Sequence, residues 1–241
     1  MAYHANMEKF IGNQVRYWKL QKEAIDSIDF KPESAKGTKP FVTISREYGA
    51  GAYMVAEKLI MILNEKYNDE HNWAAYDRNL LDRIANDMGL SESLAQTLTT
   101  NARNKMTELF QTTFSTFPPQ VAVYRKLAEI TRILAYNGHV VLAGRAANRI
   151  TRDLSQGFHV RLVAPLNWRV RRLCELHNYH MKEAEQLIIE KDKEIDGFIR
   201  EFVKFDNTDP HNYHMVINME HITPDEAAEI IADAMKTNKL L

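Results

Sequence analysis

The chain has a single cysteine, Cys174, among its 241 residues. One cysteine excludes an intramolecular disulfide framework and is typical of proteins that work in a reducing compartment. The sequence also lacks an uninterrupted apolar run long enough to span a bilayer, and its first residues show no apolar signal-peptide segment. We therefore expect a cytoplasmic protein that has no membrane partner.

Net charge is also nearly absent, because 31 basic side chains are balanced by 32 acidic ones to give a formal charge of −1. A chain with this balance has no bulk electrostatic attraction to nucleic acid or to an anionic membrane. It also has no basic stripe of the kind that favours nucleic-acid binding. Any site for an anion must therefore be a local cluster of donors.

The main motif of the sequence is a buried strand, a loop that contains glycines, and a helix. Residues 41–44 read Phe-Val-Thr-Ile, a short apolar and β-branched run. Gly49 and Gly51 follow, and an apolar pattern of helical period begins at Val55. A glycine loop that leads into a helix N-terminus presents free N–H groups to an anion. The segment therefore predicts a phosphate-binding loop.

This loop lacks the lysine of the strict phosphate-binding pattern, G-x-x-x-x-G-K-[ST]. If Gly51 is the second glycine, Arg46 stands at the first glycine, Ala52 at the lysine and Tyr53 at the hydroxyl. The lysine that contacts the β- and γ-phosphates and the hydroxyl that contacts Mg²⁺ are then both missing. A glycine-bearing turn without any ligand therefore stays open as an alternative.

Further strand-like segments alternate with helical ones after the loop. The segments are residues 73–77, 139–143, 158–163 and 213–218. This alternation predicts an α/β fold with a parallel sheet that is covered by helices on both faces. We expect a helix at 79–88 that ends at Gly89, and a long, charged helical stretch at about 167–204. Thr223 and Glu226 predict a capping box that starts the last helix.

Arginines follow several of the predicted strands. Ligands of parallel sheets bind at the carboxyl ends of the strands, and these ends carry Arg46, Arg78 and Arg145, with Arg169 shortly after a fourth strand. Guanidinium groups that converge on one edge suit a polyphosphate. Any one of these arginines is explained as well by an ordinary ion pair, but the set favours a nucleotide site.

The chain resembles the cytidylate kinase-like family, a branch of the P-loop nucleoside monophosphate kinases, over about residues 40–235. Segments near strand ends carry the resemblance: Ile44–Gly51, Tyr76–Leu81, Gly144–Asn148, Val163–Pro165 with Arg169 and Arg172, and Asp209–Asn218. The resemblance implies a three-layer P-loop kinase-like fold with a five-stranded parallel sheet in the order 2-3-1-4-5. It also implies a helical NMP-binding insertion at 78–137 and a mobile lid at about 175–205.

Residues 1–39 lie outside the resemblance and precede a kinase-like domain at 40–241. Apolar residues at helical spacing and a Pro- and Gly-containing stretch at 31–40 predict a helical arm and a linker. The arm either packs on the domain or docks on a partner subunit, and we favour the second because the domain is complete without it. A homo-oligomer formed through the arm is therefore expected.

The resemblance also implies roles for individual residues, with ATP and Mg²⁺ as cofactors and a small-molecule nucleotide as substrate. ATP phosphates would lie on Gly49, Ala50, Gly51, Ala52 and Tyr53, with Arg169 near the adenine side. The acceptor monophosphate would contact residues at other strand ends, namely Asp77, Arg78, Arg145 and Asn148. Arg46, Arg145 and Arg172 are the candidate catalytic residues, since catalysis of this kind consists of aligning the reactants and neutralising charge.

Some positions depart from the pattern of true cytidylate kinases or of related lids, and each departure removes a charge, although the family that the chain resembles commonly lacks the loop lysine too. Ala52 replaces a lysine, Ala146 replaces an acidic residue, and Ile195 stands about where the lid of related proteins has an arginine. We hypothesise that Arg46 substitutes for the missing lysine. The alternatives that remain are a nucleotide-binding protein without turnover and a kinase of another small phosphorylated acceptor.

Two histidine pairs have H-x-x-H spacing, His177 with His180 and His211 with His214. Neither pair belongs to a pattern with two cysteines or to an H-E-x-x-H motif of the kind that completes a zinc site. We therefore expect no metal ligands from the protein.

Overall fold

The structure is a computed structural model, and it describes residues 39–67, 72–86, 88–98, 104, 122–144, 146–200 and 205–241. The described residues form two compact units. One unit contains 40–78 and 139–241, and the other contains Lys39 and the described part of 79–138. The predicted arm and linker at 1–39 lies outside the described residues except for Lys39. The domain boundaries expected from the sequence stay predictions.

The larger unit is built on a five-stranded parallel sheet in the order β2-β3-β1-β4-β5. The strands are β1 (Phe41–Arg46), β2 (Ala74–Tyr76), β3 (Val140–Ala143), β4 (Gly157–Val163) and β5 (Met215–Asn218). This confirms the predicted order 2-3-1-4-5 and the P-loop kinase-like fold. Because β1 is the central strand, the loop that follows it opens at the middle of the carboxyl edge of the sheet.

Helices alternate with the strands along the chain. The described helices are α1 (Ala52–Lys66), α2 (Arg78–Asn86), α3 (Met88–Ala95), α4 (Ala122–Asn137), α5 (Ala147–Ile150), α6 (Leu166–His177), α7 (Met181–Phe198) and α8 (Pro224–Thr237). No helix among the described residues combines the length and the apolar character needed to cross a membrane.

One face of the sheet is apolar and packs against α1 and α8. Val42 and Ile44 of β1 are fully buried there together with Leu59 of α1 and Ile231 of α8. Side chains of this size contribute about 1.5–3 kcal/mol each when they are removed from water. Every second residue of a strand points to the same face, which explains why alternate residues of β1 and β4 belong to this apolar layer. This layer fixes the position of α1 and therefore of the loop that precedes it.

The other face of the same strands carries polar residues. Thr43 Oγ1 lies 2.8 Å from Nδ1 of His159 on β4, and the backbone N–H of His159 donates to His214 Nδ1 at 2.9 Å. Burial, and after it the proximity of His214, lowers the pKa of His159 to about 4. Gly157 leaves the space that the rings of Phe41 and His159 fill. This face is thus held together by hydrogen bonds as well as by apolar contact.

Hydrogen bonds link the helices of the smaller unit. Asn137 Nδ2 at the end of α4 donates to Thr97 Oγ1 at 2.8 Å, and the Thr97 hydroxyl donates to the carbonyl of Leu94 at 2.6 Å. The Ser91 hydroxyl of α3 donates to the carbonyl of Ile84 in α2 at 2.7 Å. These helices are the described part of the predicted NMP-binding insertion.

The predicted helical stretch at 167–204 contains α6 and α7, which are separated because Asn178 adopts a φ of 57° and its N–H closes α6 on the carbonyl of Cys174. One expected helix boundary is wrong. Gly89 does not end a helix but lies within α3. The predicted capping box is confirmed, since Thr223 Oγ1 accepts from the Glu226 N–H and the Glu226 carboxylate accepts from the Thr223 N–H.

Candidate active site

The loop between β1 and α1 turns through glycines in a left-handed backbone conformation. Gly49 has a φ of 85° and Gly51 a φ of 88°, a region that costs other residues about 1–2 kcal/mol. The loop also lies against α6, because a Cβ added at Gly49 would be 3.1 Å from Cδ1 of Leu173. Both the left-handed backbone and the close contact with Leu173 therefore favour glycine at position 49.

Helix α1 begins directly after this loop without a side-chain cap. Gly51 is the N-cap residue, and the first turn contains no acidic side chain. The free N–H groups and the helix dipole at such an end favour an anion. Ala50 is fully buried, Ala52 at the lysine position is 7% exposed, and Tyr53 is 49% exposed. The loop therefore offers an anion backbone donors, whereas the position of the missing lysine is apolar.

Arg169 of α6 holds the loop to the rest of the larger unit. It is only 7% exposed, and its Nε donates to the Ala164 carbonyl at 2.9 Å while Nη1 donates to the Tyr48 carbonyl at 3.0 Å. Nη1 also forms an ion pair with Asp192 of α7. Arg169 thus lies at the loop, and its protein contacts fix the loop backbone. Its contact with the adenine side of a nucleotide stays a prediction.

Two carboxylates flank Arg169, and the sequence analysis identified neither. Glu47 Oε2 lies 3.7 Å from Arg169 Nε and accepts the Ala164 N–H at 2.9 Å. Asp192 Oδ1 accepts the backbone N–H of Tyr48 at 2.7 Å. Glu47 could have been identified from the sequence, because it stands directly after strand β1. Asp192 has no comparable signal, because its partner Tyr48 is 144 positions away.

Arg172 lies alongside the glycine loop. Its Nη1 donates to the Gly49 carbonyl at 3.0 Å, and its guanidinium carbon is 5.7 Å from the centre of the Trp168 ring. A Cβ added at Gly51 would be 3.1 Å from Nη2 of Arg172. Burial lowers the pKa of Arg172, and the Glu175 carboxylate opposes this. The structure therefore brings one predicted catalytic arginine to the predicted phosphate-binding backbone.

Arg46 lies at the carboxyl ends of the neighbouring strands β1 and β3. A Cβ added at Gly144, directly after β3, would be 1.8 Å from Nη1 of Arg46. The guanidinium therefore occupies the space that any side chain at position 144 would need. Gly144 also has a φ of 94°. The absence of a side chain at Gly144 is what allows Arg46 to lie over the end of β3.

The predicted acceptor residues are described to different extents. Asp77 follows β2, and Arg78 begins α2, although the side chain of Arg78 lies outside what the structure describes. Arg145 lies outside the described residues. Asn148 of α5 is buried, and its Oδ1 accepts from the Ser45 hydroxyl at 3.3 Å. Their role in binding an acceptor stays a prediction.

The loop and its surroundings do not fit a Mg²⁺ ion held by the protein. The position of the strict hydroxyl carries the phenol of Tyr53, and the Ser45 hydroxyl before the loop is engaged with Asn148. The Glu47 carboxylate accepts from the Ala164 N–H. Within the described ranges, no group of three or more His, Cys, Asp or Glu side chains is arranged to hold a metal ion.

Comparison with solved structures finds several proteins that are similar to this chain. A crystal structure of an uncharacterized protein from Eubacterium ventriosum is 21% identical, with a TM-score of 0.64, and the match covers 83% of this chain and 99% of that chain. A shikimate kinase from Bacteroides thetaiotaomicron is 15% identical, with a TM-score of 0.45 and coverage of 84% and 99%. One from Acinetobacter baumannii is also 15% identical, with a TM-score of 0.47 and coverage of 87% and 100%.

Comparison with curated proteins gives no significant match. The sequence model of the cytidylate kinase-like family matches residues 41–221. The match begins at the first residue of β1 and extends past β5, so it includes the whole sheet and the loop. This chain belongs to the cytidylate kinase-like family.

Proposed function

We propose that the protein is an ATP-dependent phosphotransferase that transfers the γ-phosphoryl group of ATP to a nucleoside monophosphate, with CMP or dCMP as the favoured acceptor. Family membership supports the reaction class, and the choice of base rests on family analogy. The observation that carries the proposal is the loop itself. Left-handed Gly49 and Gly51 lead into the uncapped N-terminus of α1, which suits phosphate oxygens.

ATP would bind with its phosphates on the backbone of residues 49–53. Apart from the Ala50 N–H, which donates to the Glu47 carbonyl at 3.2 Å, the N–H groups of this segment would donate to phosphate oxygens, and Arg172 beside Gly49 would add a positive charge. An oxygen of the acceptor phosphate then attacks the γ-phosphorus while the bond to the β,γ-bridging oxygen breaks, which releases ADP. Charge on the transferring group is the main obstacle that the protein must offset.

Arg46 is the proposed replacement for the loop lysine. It belongs to the strand end that starts the loop, and its guanidinium lies over Gly144 at the adjacent strand end. A planar guanidinium can bind two oxygens of a phosphate at once. Arg145 directly after Gly144 is the second proposed cation at this edge, and with Asp77, Arg78 and Asn148 it would contact the acceptor.

Mg²⁺ is proposed to arrive with the nucleotide rather than on the protein. The described residues at the loop supply no hydroxyl ligand, and Mg²⁺ commonly keeps several waters and binds through substrate phosphates. Its chemistry when bound would be to neutralise charge on the β- and γ-phosphate oxygens. Arg46 and Arg172 would supply the rest of the positive charge from the protein.

A second candidate function is nucleotide binding without turnover. Ala52 at the lysine position, Ala146 at the acidic position and Ile195 at the lid arginine all favour it. A third candidate is phosphoryl transfer to another small phosphorylated acceptor. All three candidates share the loop as the nucleotide site and differ in whether ADP appears and with which acceptor.

Two regions outside the loop have proposed roles. Residues 175–205, which include α7, would close as a lid that excludes water during transfer. The arm at 1–39 would join two subunits of a cytoplasmic homo-oligomer. Light scattering on the full chain and on a variant that lacks residues 1–39 tests the second role, which fails if both have the mass of a monomer.

ADP release tests the proposed function. The purified chain is incubated with ATP and Mg²⁺ and with each nucleoside monophosphate in turn, and both ADP and the new diphosphate are measured. We expect equal amounts of the two products with CMP or dCMP. ATP binding without ADP release with any acceptor would support the non-catalytic candidate, and ADP release with a different acceptor would support the third.

A further inference from the structure

A buried polar cluster lies on the polar face of the sheet, beneath the end of β1. Ser45 of β1 and Arg161 of β4 are opposite each other in the strand register. Asn148 of α5 joins them, because its Oδ1 accepts from the Ser45 hydroxyl at 3.3 Å. Tyr213 closes the cluster, with its ring centre 5.8 Å from the guanidinium carbon of Arg161. We call these four residues the Arg161 cluster.

Two donors of the Arg161 cluster are buried without an acceptor. Asn148 is 3% exposed and Arg161 is 4% exposed. Within the described part of the chain, Nδ2 of Asn148 and Nη1 of Arg161 have no hydrogen-bond partner. Buried N–H groups are nearly always paired in folded proteins, because an unpaired one is costly. Two such groups in one cluster point to an acceptor that binds there.

The charge of Arg161 has no counter-ion among the described residues. Arg169, the other buried arginine, is paired with Glu47 and Asp192, whereas no ion pair joins Arg161 to a described carboxylate. Contact with the Tyr213 ring compensates only part of the cost of burying a guanidinium. A neutral occupant such as water would satisfy the free N–H groups but not this charge. The missing group is therefore an anion.

The donors converge on one place, the hydroxyl of Tyr213. Burial raises the pKa of this phenol, and the Ser45, Arg161 and Asn148 side chains oppose the rise because they lie next to the oxygen. The hydroxyl itself lies 2.8 Å from the carbonyl oxygen of Asn207. The hydroxyl also donates towards Asn207 Oδ1 at 2.7 Å, so both nearby Asn207 oxygens face the phenol. An oxygen beside the hydroxyl would meet these two acceptors as well as the donors of Arg161 and Asn148 and one positive charge.

We propose that the Arg161 cluster is an oxyanion-binding subsite, in which Nη1 of Arg161 and Nδ2 of Asn148 donate to a phosphate or carboxylate oxygen. The inference rests on the proposed function in one respect, because it assigns this oxyanion to the acceptor molecule. Ser45 precedes Arg46 at the carboxyl end of β1, which is the edge where ligands of parallel sheets bind. The subsite would orient the acceptor, and it would not take part in the transfer itself.

The direct test reads the side-chain amide of Asn148 by NMR in the full-length protein labelled with nitrogen-15. Its NH₂ signals are assigned by their loss in Asn148→Asp, and inorganic phosphate, acetate and CMP are added separately. We expect saturable shifts of these signals with at least one of the first two probes, which identifies phosphate or carboxylate as the source. CMP that shifts the same signals at lower concentration would connect the subsite to a nucleotide acceptor.

Variants separate the subsite from the loop. Arg161→Gln should weaken binding of the active probe about tenfold or more, since a charge-assisted donor is lost. Arg46→Ala, at the loop, should leave the Asn148 response intact. Asn148→Asp retains the acceptor of the Ser45 hydroxyl and gives Arg161 a counter-ion, so it should raise the melting temperature while it abolishes binding at the subsite.

The inference and the proposed function fail in different ways. If neither phosphate nor acetate shifts the Asn148 signals, or if Arg161→Gln leaves the shift unchanged, the subsite is overturned whatever the enzyme assay shows. A lower melting temperature in Asn148→Asp would also contradict the subsite. It would mean that the charge of Arg161 does not lack a counter-ion in the wild type. If phosphate binds but no acceptor yields ADP, the subsite stands and the phosphotransferase proposal fails.

Discussion

The carboxylate of Asp192 accepts a hydrogen bond from the backbone N–H of Tyr48 at 2.7 Å. A side chain of α7 therefore holds the loop that we propose to bind phosphate. The same carboxylate pairs with Arg169, which itself donates to the Tyr48 carbonyl. Movement of α7 away from the loop would break both contacts of Asp192, whereas Arg169 of α6 would keep its bond to the Tyr48 carbonyl. The loop backbone is therefore coupled to the proposed lid through Asp192.

Asp192→Asn tests this coupling. The variant leaves Arg169 with a weaker partner at a buried position, and breaking a pair of this kind costs up to 3–5 kcal/mol when no acceptor remains. Because the amide oxygen still accepts, we expect a loss of about 1–3 kcal/mol in the free energy of unfolding, measured with urea. Glu194→Gln on the same helix removes an exposed pair with Lys191 and should cost less than about 1 kcal/mol. Equal losses in the two variants would show that Asp192 does not stabilise the loop.

Arg172→Ala should reduce turnover strongly. The variant removes the guanidinium that lies at the Gly49 carbonyl, and loss of one group that stabilises charge in the transition state commonly costs about 10²–10³ in rate. The matched control is Arg171→Ala, one position away and exposed to solvent, for which we expect less than about a twofold change in kcat/KM. Comparable kcat/KM values for the two variants would exclude a direct role for Arg172.

Gly144→Ala should displace Arg46 while the fold is retained. The new Cβ would meet Nη1 of Arg46 at 1.8 Å, and the φ of 94° disfavours alanine. We expect a stability loss of about 1–2 kcal/mol from the backbone and weaker ATP binding, because the guanidinium must move. Calorimetric titration with ATP measures the second effect.

Gly197→Ala on α7 is the control for this glycine variant. A Cβ added there meets nothing within 4 Å, and alanine in a helix is favoured over glycine by about 0.5–1 kcal/mol. The control should therefore be more stable than the wild type and bind ATP equally well. Unchanged ATP affinity in Gly144→Ala as well would mean that Arg46 makes no contact with the nucleotide.

Acid should destabilise the protein through His159. Its pKa in the folded state is lowered to about 4 from 6.5, mainly by burial, so the unfolded chain binds the proton first. Stability is then complete above about pH 6.5 and falls between pH 6.5 and pH 4, by about 3 kcal/mol at most. Urea unfolding of the wild type and of His159→Gln across this range should show a flatter pH profile for the variant. A profile as steep as that of the wild type would assign the acid sensitivity to other groups, and His211→Gln at an exposed position is the control.

The sheet was predictable from the sequence because local patterns determine it. Each strand contains a short run of apolar or β-branched residues, and the family resemblance supplied the strand order. The division between α6 and α7 was not predicted, since it depends on the left-handed conformation of a single residue, Asn178. The charged sequence on both sides of Asn178 predicts helix, and nothing in it indicates a break.

The arginines of the candidate site were identified from the sequence, but the carboxylates that pair with them were not. Arg169 and Arg172 contact the loop backbone, and Arg46 lies over Gly144 at the adjacent strand end, while their roles in binding and transfer stay predictions. Asp192 was missed because its role depends on which buried arginine it meets, and this is decided by tertiary packing. Glu47 was missed although its place directly after a strand marks it as a candidate. Arg161 was missed because it lies inside a strand, where an apolar residue is the usual expectation.

ATP binding at the loop is the central claim, and the backbone amides of Gly49 and Gly51 report on it most directly. The measurement is a titration of the full-length, nitrogen-15-labelled chain with ATP and Mg²⁺, followed by the NMR signals of these two amides. Large saturable shifts that weaken in Arg172→Ala are the predicted result. Signals that stay unchanged at saturating ATP would contradict a phosphate-binding loop and, with it, the proposed kinase.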